Sequence, residues 1–206
     1  MDNLILKATK IAKKVHAEQT RDYGKGPYIH HPARVASRVM LLDDATPEMV
    51  AAAMNHDALE DGWKHTWLSK EYLAKELSPI VANLVDELTN KYTKTTHPNL
   101  NRKARKNKEV ERLGSVSSTA KVIKMLDRLD NLQDIDLDDS FSLTYANESV
   151  ELLEKIKDAN AEIAEELERR IYEIKWHWHT QECDSCQFFP LSPACDSGKE
   201  ILKKSF

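Results

Sequence analysis

Turn-forming residues are scarce in this chain: five glycines and seven prolines in 206 residues. Sheet-rich folds need such residues at every hairpin and bend, so their scarcity argues for an all-α fold. Cysteine is scarcer still. Cys183, Cys186 and Cys195 are the whole set, and an odd count crowded toward the C-terminus makes no disulfide framework. No apolar run approaches the roughly 18 residues of a membrane span. The opening Met-Asp-Asn-Leu lacks the basic and apolar regions of a signal peptide. Nor is there a basic excess: 30 Lys and Arg against 34 Asp and Glu leave a net charge of −4, so neither nucleic acid nor an anionic membrane is expected as a partner. These absences leave a cytoplasmic globular protein with one domain and a sizeable core.

Apolar periodicity predicts helices over 3–19, from near Pro32 to Leu42, from the capping pair Thr46-Pro47 to about Leu59, and over 67–77 and 79–92. The polar, basic stretch from Tyr92 to Leu113 reads as loop then helix. Ser117 or Ser118 caps a helix to about Ile135, and 141–176 makes two more. From Trp176 the pattern breaks up. The expectation is a bundle of seven to nine helices over 1–175 and a short Cys/His-containing tail at 176–206, without internal repeats.

Against this background four segments stand out: His30-His31-Pro32, His56-Asp57-Ala-Leu-Glu60-Asp61, Asp127 and Asn131. Imidazole and carboxylate together suit a divalent metal such as manganese, iron or zinc. Helical neighbours point about 100° apart, so His56 and Asp57 both reach a cation off one helix edge, with Glu60 and Asp61 one turn later. Asp127 and Asn131 share a face by the same i, i+4 rule. An isolated His-Asp pair is more often a surface contact. This one lies in the apolar run Met49-Val-Ala-Ala-Ala-Met-Asn-His-Asp-Ala-Leu, where charge is costly unless paired or metal-bound.

The order His, His-Asp, Asp resembles the signature of the HD superfamily of phosphohydrolases, especially the RelA/SpoT-type branch and its stand-alone small alarmone hydrolases. Three segments carry the likeness: His16-Ala-Glu-Gln19-Thr-Arg21 with Gly26-Pro27-Tyr28-Ile29-His30-His31-Pro32, the run ending His56-Asp57-Ala-Leu-Glu60-Asp61, and Ile123-Lys124-Met-Leu-Asp127-Arg128-Leu-Asp-Asn131-Leu132. It spans roughly residues 5–155. The resemblance implies an all-helical fold and a metal, usually manganese, on His31, His56, Asp57 and Asp127. It implies that Glu60 and Asp61 orient or deprotonate the attacking water. Arg21 would stand near substrate phosphate, Asn131 would contact the nucleotide and Tyr145 the sugar. Asp22 departs from the basic residue that close relatives often carry after Arg21.

Between Lys91 and Lys108 seven basic residues occur without an Asp or Glu. A solvated helix face is one reading and a phosphate-binding element the other, with Arg102 and Lys103 chosen as the inward pair. In the tail, Cys183-Asp-Ser-Cys186, Cys195 and His179 would complete a structural zinc site. Three free thiols are the alternative.

The resemblance implies a manganese-dependent (p)ppGpp 3′-pyrophosphohydrolase whose partner is a small nucleotide, with a homo-oligomer left open. The alternatives are an HD-type phosphatase for a dNTP, an NMP or NADPH, a non-catalytic nucleotide sensor, and, through residues 91–108, an RNA-binding module lacking any stacking motif.

Overall fold

A computed structural model describes residues 2–21, 26–60 and 65–182. Within them the chain folds into nine α-helices: α1 (Asp2–Val15), α2 (His30–Met40), α3 (Pro47–Met54), α4 (Lys70–Glu76), α5 (Pro79–Leu88), α6 (Arg102–Leu113), α7 (Ser118–Asp134), α8 (Phe141–Ile156) and α9 (Ala161–Glu182). No described residue belongs to a strand, and the one β-type pairing is an isolated bridge between Thr20 and Pro27. No described helix is long and apolar enough to cross a membrane.

The helix starts follow local chemistry. Thr46, Ser69, Ser78, Asn101 and Ser117 each accept a hydrogen bond from the backbone N–H three residues on, satisfying one orphan donor of the helix they open. Pro47 and Pro79 occupy first-turn positions, where no N–H is needed.

Helix α7 is the axis of the bundle and packs against α2, α3, α5, α8 and α9. Ile123, Met125, Leu129 and Leu132 fill the core around it. Along the same helix Lys124, Asp127, Arg128 and Asp130 are also buried. Four charges in such a place are tolerated only when each meets partners, and those partners form the site below.

Four helix ends differ from the sequence expectation. Helix α1 stops at Val15 and the chain turns through His16, whose carbonyl accepts from Gln19 N–H. Helix α3 stops at Met54 rather than near Leu59. There the fully buried Asn55 side chain donates to the carbonyls of Ala51 and Ala8, tying the helix end to α1. Helix α5 stops at Leu88: Thr89 N–H still bonds the Val85 carbonyl, but the N–H groups after it serve side chains, Asn90 donating to Glu60, and Lys91 and Tyr92 to Glu109. Helix α9, expected to end near 176, runs to Glu182. Trp178 packs against the core and donates from its indole N–H to Ser142 Oγ at 2.7 Å.

Candidate metal centre

Beyond α3 the chain does not continue as the helix on which His56 and Asp57 were expected. It passes through i→i+3 turns, with Ala58 N–H bonded to Asn55 and Glu60 N–H to Asp57. These turns carry His56 and Asp57 across to meet α2 and α7. His31 comes from the buried face of α2, in register with Val35 and Val39, and Asp127 from the middle of α7.

The four side chains converge. His31 Nε2 lies 3.1 Å from His56 Nε2 and 3.1 Å from Asp127 Oδ1, and His56 Nε2 is 3.4 Å from the same oxygen. Asp57 Oδ2 reaches the same two nitrogens, at 3.0 Å from His56 and 3.6 Å from His31.

The surrounding bonds fix the polarity of this cluster. His56 Nδ1 sits 2.8 Å from the Ala53 carbonyl, which only accepts, so Nδ1 carries the hydrogen and Nε2 offers a lone pair. His31 Nδ1 lies 2.6 Å from Asp130 Oδ2, with the same result. Two lone pairs and two carboxylates therefore face one point. Burial pushes the His56 pKa down, but the charges of Asp57 and Asp127 outweigh it and hold it well above the usual value, so with no cation bound Nε2 takes a proton, and its lone pair is offered when a cation displaces that proton. Asp127 shows the converse. Burial raises it, yet Lys124 and His56 keep it well below the carboxylate range. A site this negative, built of nitrogen and oxygen donors without thiolate, fits a divalent cation.

Next to the cluster is a cavity of about 170 Å³, lined among others by Asp57, Glu60, Asn90, Lys106, Lys124, Asp127, Arg128, Asn131 and Tyr145. Glu60 accepts from Asn90 N–H at 3.0 Å and from Asn90 Nδ2 at 3.1 Å. Burial, reinforced by the charge of Asp57, pushes its pKa up to about 7 against the pull of Lys124. A carboxyl so tuned can take a proton near neutral pH. Asp127 is held by Lys124 Nζ at 2.7 Å and by Asn131 Nδ2 at 2.7 Å. Lys106 lies among cations, and burial together with the charge of Arg128 lowers its pKa. An ammonium in that position gains strongly from an arriving phosphate.

A second cavity of about 260 Å³ shares Tyr28, Asn131 and Tyr145 with the first and adds Thr20, Arg21, Ile135 and Phe141. Its walls are largely aromatic and aliphatic. Arg21 lines it and is ion-paired with Asp134 at 3.0 Å. The guanidinium of Arg128 lies 4.3 Å from the Tyr145 ring centre.

Of the residues named from the sequence, His31, His56, Asp57 and Asp127 meet in the cluster, and Asp57, Asp127, Glu60, Asn131, Tyr145 and Arg21 line the two cavities. Its choice on α6 is displaced. Arg102 is 45% exposed and ion-paired with Glu148, and Lys103 is exposed. Lys106 is the α6 cation in the cavity, because the inward stripe of α6 runs Lys106, Glu109, Val110, Leu113. Tyr28, whose hydroxyl donates to Asp57 Oδ2 at 2.6 Å, was not assigned a role, and neither were Asn90, Lys124, Arg128 and Asp130. Charges interrupting an apolar helix were a usable signal for the three on α7; nothing in the sequence marks Asn90. Asp61, Cys183, Cys186 and Cys195 lie outside the described residues. His179 lies on α9 with its ring 5.6 Å from that of Trp176.

Residues 8–170 match the family described as HD domain. The chain is 34% identical over 136 residues to guanosine-3′,5′-bis(diphosphate) 3′-pyrophosphohydrolase MESH1 of Xenopus tropicalis, covering 64% of this chain and 69% of the relative. Its fold matches that of a metazoan ortholog of SpoT, which hydrolyzes ppGpp and plays a role in starvation responses. The TM-score is 0.67 at 24% identity, over 82% of this chain and 94% of the other.

Proposed function

Because the chain belongs to the HD domain family, we propose that it is a metal-dependent hydrolase that removes the 3′-pyrophosphate of guanosine 3′,5′-bis(diphosphate). The observation that carries this reading is the meeting of His31, His56 and Asp127, their donor atoms within 4.8 Å of one another, beside a cavity lined by cations. The identity to the Xenopus pyrophosphohydrolase supports the choice of substrate.

In this reading His31, His56, Asp57 and Asp127 hold one divalent cation, manganese suiting their nitrogen and oxygen donors. When bound there, such a cation polarises a phosphoryl oxygen and lowers the pKa of bound water. Glu60, within the same cavity, takes the proton of the attacking water. Water oxygen bonds to the phosphorus on the 3′ oxygen, and the bond from that phosphorus to the 3′ oxygen breaks. Pyrophosphate leaves, and the 3′ oxygen regains a proton as the hydroxyl of GDP. Lys106, Lys124 and Arg128 balance the charge of the phosphates. Tyr145, Phe141 and Asn131 in the adjoining cavity receive the nucleoside.

Incubation of the purified protein with ppGpp and manganese, followed by product analysis, tests the reading. GDP and pyrophosphate are expected, and only with the cation present. Intact ppGpp under these conditions overturns the substrate assignment. Orthophosphate released from another nucleotide redirects it to an HD-type phosphatase.

A further inference from the structure

Asp130 has no place in the mechanism above, yet it is among the most deeply enclosed charges of the protein, only 1% exposed. It lies on α7 between Asp127 and Asn131 and faces α2. One carboxylate oxygen, Oδ2, is 2.6 Å from His31 Nδ1. Arg34, one turn after His31 on α2, grips both oxygens, with Nε 2.7 Å from Oδ1 and an N–H of its second arm 2.8 Å from Oδ2. Arg34 also bonds Asp134 at 2.5 Å, and Asp134 takes Arg21.

We infer that Asp130 is a positioning residue for the metal centre, acting through His31 and itself held by Arg34. The inference rests on the reading of His31 as a metal ligand. An ionised carboxylate only accepts, so it commits the ring hydrogen of His31 to Nδ1 and leaves Nε2 free to donate its lone pair. It also fixes the ring plane and raises the basicity of the ligand. Arg34 keeps the buried carboxylate ionised and aligned, since its fork matches both oxygens. The second histidine has weaker support: His56 Nδ1 meets the neutral Ala53 carbonyl. Asp130 therefore makes His31 the stronger of the two imidazole donors.

An amide cannot replace this carboxylate. If its oxygen faces His31, its NH₂ meets the Arg34 Nε–H; if its NH₂ faces His31, it opposes the required Nδ1 hydrogen. Manganese binding by the full-length, metal-stripped protein tests the inference, read as free Mn²⁺ by electron paramagnetic resonance. Asp130→Asn should weaken binding roughly 10- to 100-fold. The manganese needed for half-maximal hydrolysis should rise in parallel, with much of the turnover recovered at saturating metal. Arg34→Gln should lie between parent and Asp130→Asn. Parental affinity in a folded Asp130→Asn variant overturns the inference. If that variant does not fold, the 44%-exposed Arg34 decides, and parental affinity in Arg34→Gln overturns it equally. A parent that binds no manganese refutes both the metal reading and this inference. A parent that binds manganese but leaves ppGpp intact refutes only the substrate.

Discussion

The Nε2 atoms of His31 and His56 face each other at 3.1 Å, each ring holding its hydrogen on the far nitrogen. With Asp57 and Asp127 beside them, the positive charge this arrangement calls for comes, when no metal is bound, from Lys124 on the other oxygen of Asp127 and from protons on the two imidazoles, which a bound cation would displace. Removing a bound cation should therefore cost stability as well as activity. Chelation is expected to lower the melting temperature, and added manganese to restore it by mass action, about 2.7 kcal/mol at one hundred times its Kd. Thermal unfolding with and without manganese measures this. Asp57→Ala should abolish the shift and the hydrolysis together. Full manganese occupancy in that variant would contradict the ligand set.

Glu60→Gln should retain the metal and bind ppGpp about as well as the parent while turnover falls roughly 10²- to 10⁴-fold, the scale of a lost general base. Elemental analysis and steady-state kinetics separate the two effects. Unchanged turnover would leave Glu60 a structural partner of Asn90.

The same residue predicts a pH effect on the metal-free protein. Burial raises the Glu60 pKa from 4.5 to about 7, so the folded chain keeps this proton longer than the unfolded one. The resulting stability is full below pH 4.5 and declines as pH rises toward 7. Denaturant titrations of the apo protein across that window should show the decline, and Glu60→Gln should flatten it. A variant with the parental slope would place the titration elsewhere.

Lys106→Ala should raise KM for ppGpp by tenfold or more, about 1.4 kcal/mol or above, the loss of one charge-assisted bond to phosphate. Arg102→Ala should leave KM nearly unchanged, because its guanidinium is committed to Glu148 at the surface. Initial-rate kinetics on the pair give the answer. Equal effects would extend the phosphate contact to the first turn of α6.

Asn55→Ala should destabilise the fold by about 1–3 kcal/mol, since the carbonyls of Ala8 and Ala51 lose a buried donor. Urea unfolding reads this directly. No change would mean that the end of α3 is held by packing alone.

The candidate metal cluster was legible in two ways: His56 and Asp57 interrupt an apolar run, where buried charge has few purposes, while His31 and Asp127 were named through the family resemblance. Two helix starts were legible from local bonding alone, since the caps Thr46 and Ser117 bond within three residues of themselves, whereas Ser69 opens α4 three residues later than expected. Helix ends depended on distant partners. Nothing near Leu88 shows that the next N–H groups will serve Glu60 and Glu109, and nothing near Trp176 shows that Trp178 will find Ser142. On α6 Arg102 and Lys106 are i, i+4 and share a face, so neither charge nor periodicity could separate them; Arg102, on the first turn, bonds Glu148 at the surface, and Lys106, one turn further on, lines the cavity.

Helix α7 supplies Lys124, Asp127, Arg128, Asp130 and Asn131 from the middle of the core, packed on five other helices. Regions that open by local fluctuation are those with few buried contacts; a central helix exchanges its amide hydrogens chiefly when the whole domain unfolds. This part of the centre thus has no loosened, half-assembled form to pass through on heating. Core substitutions remote from the cavities act on the number of competent molecules rather than on the rate of each. In a series of such variants, specific activity per folded molecule stays constant while yield follows global stability.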